Sequence, residues 1–168
     1  MIIISDTAPI ITLLKLERLD LLEKLFGEVI IPRAVYEELT SNPKYLSEAQ
    51  VISDCSFLKS CEVFDRQSIK ILREVVGLDA GESEAIALAD ERGAALLIID
   101  ERKGRTVAKQ MGLKITGTIG ILIQAFDHKL LSREEIFDCV TTLKVSEIRI
   151  SDMLLIGVLE HVKSSNNE

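Results

Sequence analysis

The sequence predicts an α/β fold in which helices cover a short parallel sheet. Six apolar residues, 94–99, lie between Gly93 and Asp100, which is typical of a strand buried on both faces of a parallel sheet. A similar apolar run at the N-terminus ends at Asp6 and is followed by the start of a helix. Because strand patterns and helix patterns alternate along the chain, the sheet is expected to be parallel.

The elements follow in order from patterns of apolar residues and from turn residues. Gly27 and Gly77 are expected to end helices, and Pro32 suits the first turn of one. The expected strands are 1–5, 28–31, 61–64, 94–99 and 114–116. The expected helices are 8–14, 19–25, 32–39, 46–52, 65–76, 81–92, 103–111, 118–126, one begun by the capping box of Ser132 and Glu135, and 151–162.

Length and composition limit the class of protein. At 168 residues, one domain over 1–168 is expected, with a core over about 1–120, a helical extension over about 121–163 and a polar tail at 163–168. The net charge of −7 argues against a broad basic surface for duplex DNA. The sequence shows no apolar run of about 18 residues and no signal-peptide pattern, so we expect a cytoplasmic protein without a membrane span.

Two acids, Asp6 and Asp100, end the two most apolar strands. Ligands of open parallel sheets bind outside the carboxyl ends of the strands, so both acids are candidates for chemistry. The alternative for Asp100 is that it only caps the helix that follows.

Glu82 is the candidate acid on the helix before that strand. At 100° per residue it shares the apolar face of Ala85 and Ala89, close to the helix N-terminus. The alternative is a capping box in which Glu82 pairs with Asp79. Glu84, at the flank of the same face, is a second candidate for this position.

Glu38 is the candidate acid on the third helix. It shares a face with Ala34 and Val35, whereas Glu37 lies four residues after Arg33, a spacing typical of a surface ion pair. The alternative is a solvated glutamate at the flank of the helix.

Four acids are therefore expected near the carboxyl ends of the strands, and carboxylates brought together repel one another. Mg²⁺ or Mn²⁺ relieves such repulsion, because both ions prefer oxygen ligands. Three basic residues follow the last acid and are candidates for binding phosphate, or they belong to an exposed helix start: Arg102, Lys103 and Arg105. The chain has no phosphate-binding loop of the GxxxxGK[ST] type and no GxGxxG, so nucleotide hydrolysis and dinucleotide binding are not supported.

The motifs IIISDT, VYEEL, ESEAIALA and LLIID together resemble the PIN-domain nucleases over about residues 1–120. Asp100 lies 18 residues after Glu82, which fits the third motif of that family: an acid, an Ala-rich helix, a glycine and a strand that ends in Asp. SDTAP, GESEAIALA and GTIGIL resemble a prokaryotic branch similar to the toxins of VapC-type toxin–antitoxin pairs.

The resemblance implies a three-layer α/β/α, Rossmann-like fold and a Mg²⁺- or Mn²⁺-dependent endoribonuclease that acts on single-stranded or structured RNA. It implies the catalytic residues Asp6, Glu38, Glu82 and Asp100, and metal ligation by Asp6, Glu82 and Asp100, with Glu84 and Glu38 as further ligands. It also implies an antitoxin protein as a partner and a homodimer, which the apolar final helix favours too. The alternative is a PIN-like module that binds RNA or a partner protein without cutting RNA.

Overall fold

The computed structural model describes residues 1–165, which form a five-stranded parallel sheet with helices on both faces. The strands are β1 (Ile3–Ser5), β2 (Val29–Pro32), β3 (Leu58–Cys61), β4 (Leu96–Ile98) and β5 (Ile115–Thr116). The helices are α1 (Thr7–Lys15), α2 (Asp20–Phe26), α3 (Arg33–Ser41), α4 (Leu46–Asp54), α5 (Arg66–Lys70), α6 (Ala80–Arg92), α7 (Arg102–Gln110), α8 (Thr118–Asp127), α9 (Arg133–Val145) and α10 (Asp152–Ser164).

The strand order is β3-β2-β1-β4-β5, so β1 lies at the centre of the sheet. All four pairings are parallel, and Ser5 lies opposite Ile98 in the pairing of β1 with β4. The chain leaves β1 toward one side of the sheet and later returns to β4 on the other side. A crevice is expected between these strands at their carboxyl ends, which is the usual ligand site of such sheets.

Two hydrophobic cores enclose the sheet, one on each face. Ile3 and Ile98 belong to the core formed with α1, α2, α3, α8, α9 and α10, whereas Ile4 and Leu97 belong to the core formed with α6 and α7. Successive strand residues point to opposite faces, so a strand covered on both faces must be apolar throughout. The three-layer α/β/α fold predicted from the sequence is therefore confirmed.

The middle of the chain differs from the prediction. The strand expected at 61–64 is instead β3, Leu58–Cys61, which pairs with β2 at the edge of the sheet. The helix expected at 65–76 is α5, which continues as a π-helical turn over Ile71–Val76. Edge strands have one open side, and the largely exposed β3 has no apolar run that would have marked it in the sequence.

The C-terminal helices pack onto the sheet and onto one another. α10 lies against α8 and α9, and its residues Leu155, Val158 and Val162 are buried in the first core. Part of the expected polar tail lies in α10, and residues 166–168 of that tail lie outside the described residues. Within residues 1–165, none of the helices is both long enough and apolar enough to cross a membrane.

Candidate active site

A cavity of about 380 Å³ opens at the carboxyl end of β1, between the N-termini of α1, α6 and α7. We call it the acid cavity, because five of its lining residues are acidic. It is lined by Asp6, Thr7, Ala8, Glu38, Tyr45, Gly77, Leu78, Asp79, Glu82, Glu101 and Lys103.

Asp6 is the most deeply buried acid of this cavity. It directly follows β1, its amide donates to the carbonyl oxygen of Ile98 over 2.9 Å, and only 4% of the residue is exposed. Burial raises the pKa of its carboxyl from 3.8 to about 8, and the negative charges of the neighbouring acids add to this rise. The amide of Thr7 opposes the rise. An ionised Asp6 therefore needs a positive partner.

Glu38 faces the same cavity from α3. The hydroxyl of Thr7 donates to Glu38 Oε2 over 2.8 Å, which orients this carboxylate beside Asp6. A Cβ built on Gly81 would lie 3.2 Å from Asp6 Oδ1 and 3.4 Å from Glu38 Oε2, so both carboxylates converge on the same turn of α6. Glu37, by contrast, forms the predicted ion pair with Arg33 over 2.8 Å.

Glu82 both caps α6 and lines the cavity. Its amide donates to Asp79 Oδ1 over 2.8 Å and its Oε2 accepts the Asp79 amide over 3.1 Å, so the capping box is present. The residue is nevertheless 6% exposed and faces the cavity. Burial raises the pKa of Glu82, and the charges of Asp79 and Glu101 contribute, while the Asp79 amide and Lys103 lower it.

The structure does not bring Asp100 into the acid cavity. Its Oδ1 accepts the amide of Thr118 over 2.7 Å and its Oδ2 accepts the Thr118 hydroxyl over 2.6 Å. Asp100 therefore binds the first residue of α8, rather than capping α7, whose N-cap is Glu101. A Cβ on Gly117 would lie 2.5 Å from Asp100 Oδ1, so this approach requires glycine at 117.

Glu84 also lies outside the cavity lining. Its Oε2 accepts the backbone amide of Ala34 over 2.9 Å, close to the N-terminus of α3. This hydrogen bond joins α6 to α3, and it is favourable because helix N-termini attract anionic groups. The structure accordingly gives Glu84 a different partner from the metal considered for it on the sequence.

Of the three predicted basic residues, one lines the acid cavity and the other two do not. Lys103 lines the acid cavity, and its Nζ lies 3.2 Å from the position of a Cβ on Gly77. Arg102 and Arg105 line a second cavity of about 850 Å³ on the other side of the α7 N-terminus, together with Asp100. Arg105 Nη1 donates to the carbonyl oxygen of Ile99 over 2.7 Å, which holds the end of β4 to α7.

Sequence reasoning missed Glu101 as a residue of the acid cavity. It follows Asp100 directly, and neighbouring residues of extended chain point in opposite directions. Once Asp100 turns toward α8, Glu101 faces the acid cavity. The adjacent acidic pair was the available signal, but the sequence alone does not say which member faces inward.

The acid cavity offers the oxygen donors that a hard cation prefers. A nearly buried carboxylate, Asp6, lies beside the oriented carboxylate of Glu38, with Glu82 on the same wall. Within residues 1–165, no three side chains of His, Cys, Asp or Glu stand close enough together to hold a metal ion as they are placed. The donor types fit Mg²⁺ or Mn²⁺, and a third oxygen would have to join those of Asp6 and Glu38 to complete the site.

A parallel α/β sheet with acids in the crevice beside its central strand fits a PIN-like fold. A family model described as a PIN domain matches residues 2–164. The chain therefore belongs to the PIN-domain family, whose members are generally nucleases. No curated protein and no solved structure shows significant similarity to the chain.

Proposed function

We propose that the protein is a metal-dependent endoribonuclease that hydrolyses RNA phosphodiester bonds in the acid cavity. The observation that carries this proposal is the convergence of Asp6, Glu38 and Glu82 on one cavity of a PIN-domain fold. Mg²⁺ or Mn²⁺ fits this donor set. When bound, such an ion acidifies water and offsets charge on the phosphate and on the leaving oxygen.

The chain's own residues have distinct roles in this proposal. Asp6 is the principal ligand, because its burial makes an ionised carboxylate most dependent on a cation. Glu38 is the second, held in place by the Thr7 hydroxyl. Glu82 is the third; its Oε2 accepts from the Asp79 amide, whereas no protein donor binds its Oε1 within residues 1–165.

Glu101 and Lys103 complete the cavity at its α7 side. Glu101 adds a further carboxylate that can bind the ion through water. Lys103 is the one basic residue among the described lining residues, and it is placed to contact a phosphate oxygen of the substrate. Asp100 is assigned an indirect role, because it does not line the acid cavity and its carboxylate is held against Thr118.

The test is cleavage of a labelled RNA by the purified protein, with Mn²⁺, with Mg²⁺ and with chelator. The matched control is Asp6→Asn, which removes one charge and keeps the shape of the side chain. We expect metal-dependent cleavage by the wild type and a loss of at least about 10²-fold in the variant, since outer-shell changes alone cost 10–100-fold. Equal cleavage by both proteins rules out the proposed site.

A non-cleaving PIN module that binds RNA or a protein is the second candidate function. The capping box of Glu82 and the bonds of Asp100 to Thr118 favour it, because they give two predicted ligands other partners. Binding of RNA without cleavage, together with a melting temperature that Mn²⁺ leaves unchanged, would support this candidate.

The toxin role rests on the resemblance of the sequence motifs to VapC-type toxins. If the protein is such a toxin, its induced expression arrests growth, and co-expression of a neighbouring small reading frame restores growth. Expression of Asp6→Asn is the control and is expected to leave growth unchanged.

A further inference from the structure

The second cavity is larger than the acid cavity and differs from it in character. Four of its lining residues are basic, Arg102, Arg105, Lys109 and Arg149, and two are acidic, Asp100 and Glu101. This local excess of positive charge stands out in a chain whose net charge is −7. The excess of basic residues in this cavity therefore favours an anionic ligand.

Three of these basic groups have donors available for a ligand. Within residues 1–165, no ion pair and no side-chain hydrogen bond engages the head groups of Arg102, Lys109 and Arg149. Arg102 and Lys109 lie seven residues apart on α7, and Arg149 reaches the cavity from the segment before α10. Cations from two separate elements thus line the same cavity.

The cavity also has an apolar wall. Ile119 and Ile123 lie one turn apart on α8, and Ile150 and Leu154 close the wall from the segment that begins α10. Its volume of about 850 Å³ lies within the ~300–1,000 Å³ that small-ligand sites occupy. An occupant that carries both an anionic group and an apolar face matches both features.

The second cavity adjoins the acid cavity through Glu101, which lines both. We propose that the second cavity binds one unpaired nucleotide of the substrate strand, with its phosphate on Lys109 and Arg149 and its base against the wall of Ile119, Ile123 and Ile150. This inference rests on the proposed function, because the strand reaches the cavity from the scissile phosphate. Taking a paired base into a cavity costs a few kcal/mol of stacking and pairing, so the site selects unpaired nucleotides.

Binding is tested without cleavage, by the fluorescence anisotropy of a labelled six-nucleotide RNA. All proteins carry Asp6→Asn, and the buffer contains chelator. Lys109→Glu and Arg149→Glu are each expected to weaken binding about tenfold. Each is also expected to make the negative slope of log affinity against log salt shallower by about 0.7. Lys144→Glu, an exposed residue of α9 that lines neither cavity, makes the same change in net charge and is expected to bind like the parent protein.

Two further measurements separate the base from the phosphate. Ile150→Ala is expected to weaken binding about fivefold with an unchanged salt slope, because it removes apolar contact only. A blunt duplex of the same sequence is expected to bind at least about tenfold more weakly than the single strand. Far-ultraviolet circular dichroism and melting curves confirm that each variant is folded before its affinity is compared.

The proposal is overturned if Lys109→Glu and Arg149→Glu bind RNA like Lys144→Glu. It is also overturned if the duplex binds as tightly as the single strand, or if a polyglutamate peptide displaces the labelled RNA as well as unlabelled RNA does. The result is independent of catalysis. A wild-type protein that binds in this pattern but cuts no RNA defeats the endoribonuclease proposal and retains the nucleotide site. If the wild type cuts RNA but Lys109→Glu and Arg149→Glu bind RNA like the parent protein, the nucleotide site is refuted and the endoribonuclease proposal stands.

Discussion

At the scale of single residues, Asp6 links the stability of the protein to pH. Its folded pKa of about 8 lies above the ordinary value of 3.8, so the folded state holds the proton more tightly than the unfolded chain does. The metal-free fold is therefore most stable when Asp6 is protonated. Stability is lost as the pH rises from about 4 to about 8. In this range Asp6 is ionised in the unfolded chain but holds its proton in the folded protein, because a buried carboxylate is unfavourable.

We predict that Asp6→Asn raises the melting temperature of the metal-free protein at pH 8 and flattens its pH dependence. A gain of at least about 2–4 °C is expected, which corresponds to about 1 kcal/mol for a chain of this size. Melting curves between pH 4.5 and 8.5 in chelator measure it. A shallow slope remains in the variant, because burial also raises the pKa of Glu82. Parallel curves for the two proteins would contradict the prediction.

A second prediction compares neighbouring glutamates of α3. Glu38→Gln is expected to lower the rate of RNA cleavage by at least about 10²-fold and to weaken Mn²⁺ binding, because it removes a carboxylate next to Asp6. Glu37→Gln makes the same chemical change in a residue that pairs with Arg33 on the surface, and cleavage is expected to continue. The assay is metal titration followed by melting and by cleavage. Similar losses in both variants would mean that Glu38 has no special place in the site.

The helical periodicity of the sequence was sufficient to place Glu38 and Glu82, but not to choose between Asp100 and Glu101. The side of a helix that carries a residue depends on nearby residues alone. The direction of Asp100 instead depends on Thr118, which is 18 residues away in the chain and is brought close only by the packing of α8. β4 also ends at Ile98, so the apolar strand pattern does not show which of these two acids faces inward.

At the scale of secondary-structure elements, Gly117 controls the junction of β4 with α8. We predict that Gly117→Ala lowers the melting temperature by about 2–6 °C. The added Cβ would displace the Asp100 carboxylate from Thr118, and loss of an N-terminal cap costs about 0.5–2 kcal/mol.

Gly157→Ala is the matched control for this prediction. Gly157 lies within α10, it is exposed, and a Cβ there would meet no atom within 4 Å. Alanine is favoured over glycine inside a helix by about 1 kcal/mol, so this variant is expected to melt at a higher temperature than the wild type. A Gly117→Ala protein that melts like the wild type would show that the junction contributes little.

The prediction of elements succeeded for the central strands and for β5, and it failed at β3, on the other edge of the sheet. The central strands, with Ile3, Ile4 and Leu97 buried between two layers, were recognisable as apolar runs. β3 is a polar edge strand, and the apolar residues used to place it, Val63 and Phe64, lie just beyond its end. Val63 is buried in the second core without being part of the sheet, so apolar character was a misleading guide to the strand here.

At the scale of the whole molecule, several apolar side chains of the C-terminal helices face solvent. Met153 and Ile156 on α10 are 82% and 51% exposed, and Val145 at the end of α9 is 82% exposed. Exposed apolar residues close together favour contact with another surface. A second copy of this chain is the partner expected from the sequence.

We predict that the protein self-associates through α10 and that replacing both Met153 and Ile156 by Ser shifts it to the monomer. Sedimentation velocity measures this over a range of concentrations, and the monomer mass is 18.7 kDa. The matched control replaces Leu46 and Val51 on α4 by Ser, since both are exposed apolar residues on a different helix. A wild type that remains monomeric at high concentration would refute self-association.

The acids of the acid cavity come from distant positions in the sequence, and this has a consequence for the newly made protein. These acids come from positions as far apart as Asp6 and Glu101, and parallel strands bring them together only after the crossovers through α3 and α6 have closed. Such distant contacts form late in folding, because the entropy of closing long loops is lost first. A chain interrupted before residue 101 therefore never acquires the complete cavity, since it lacks the wall that Glu101 and Lys103 form.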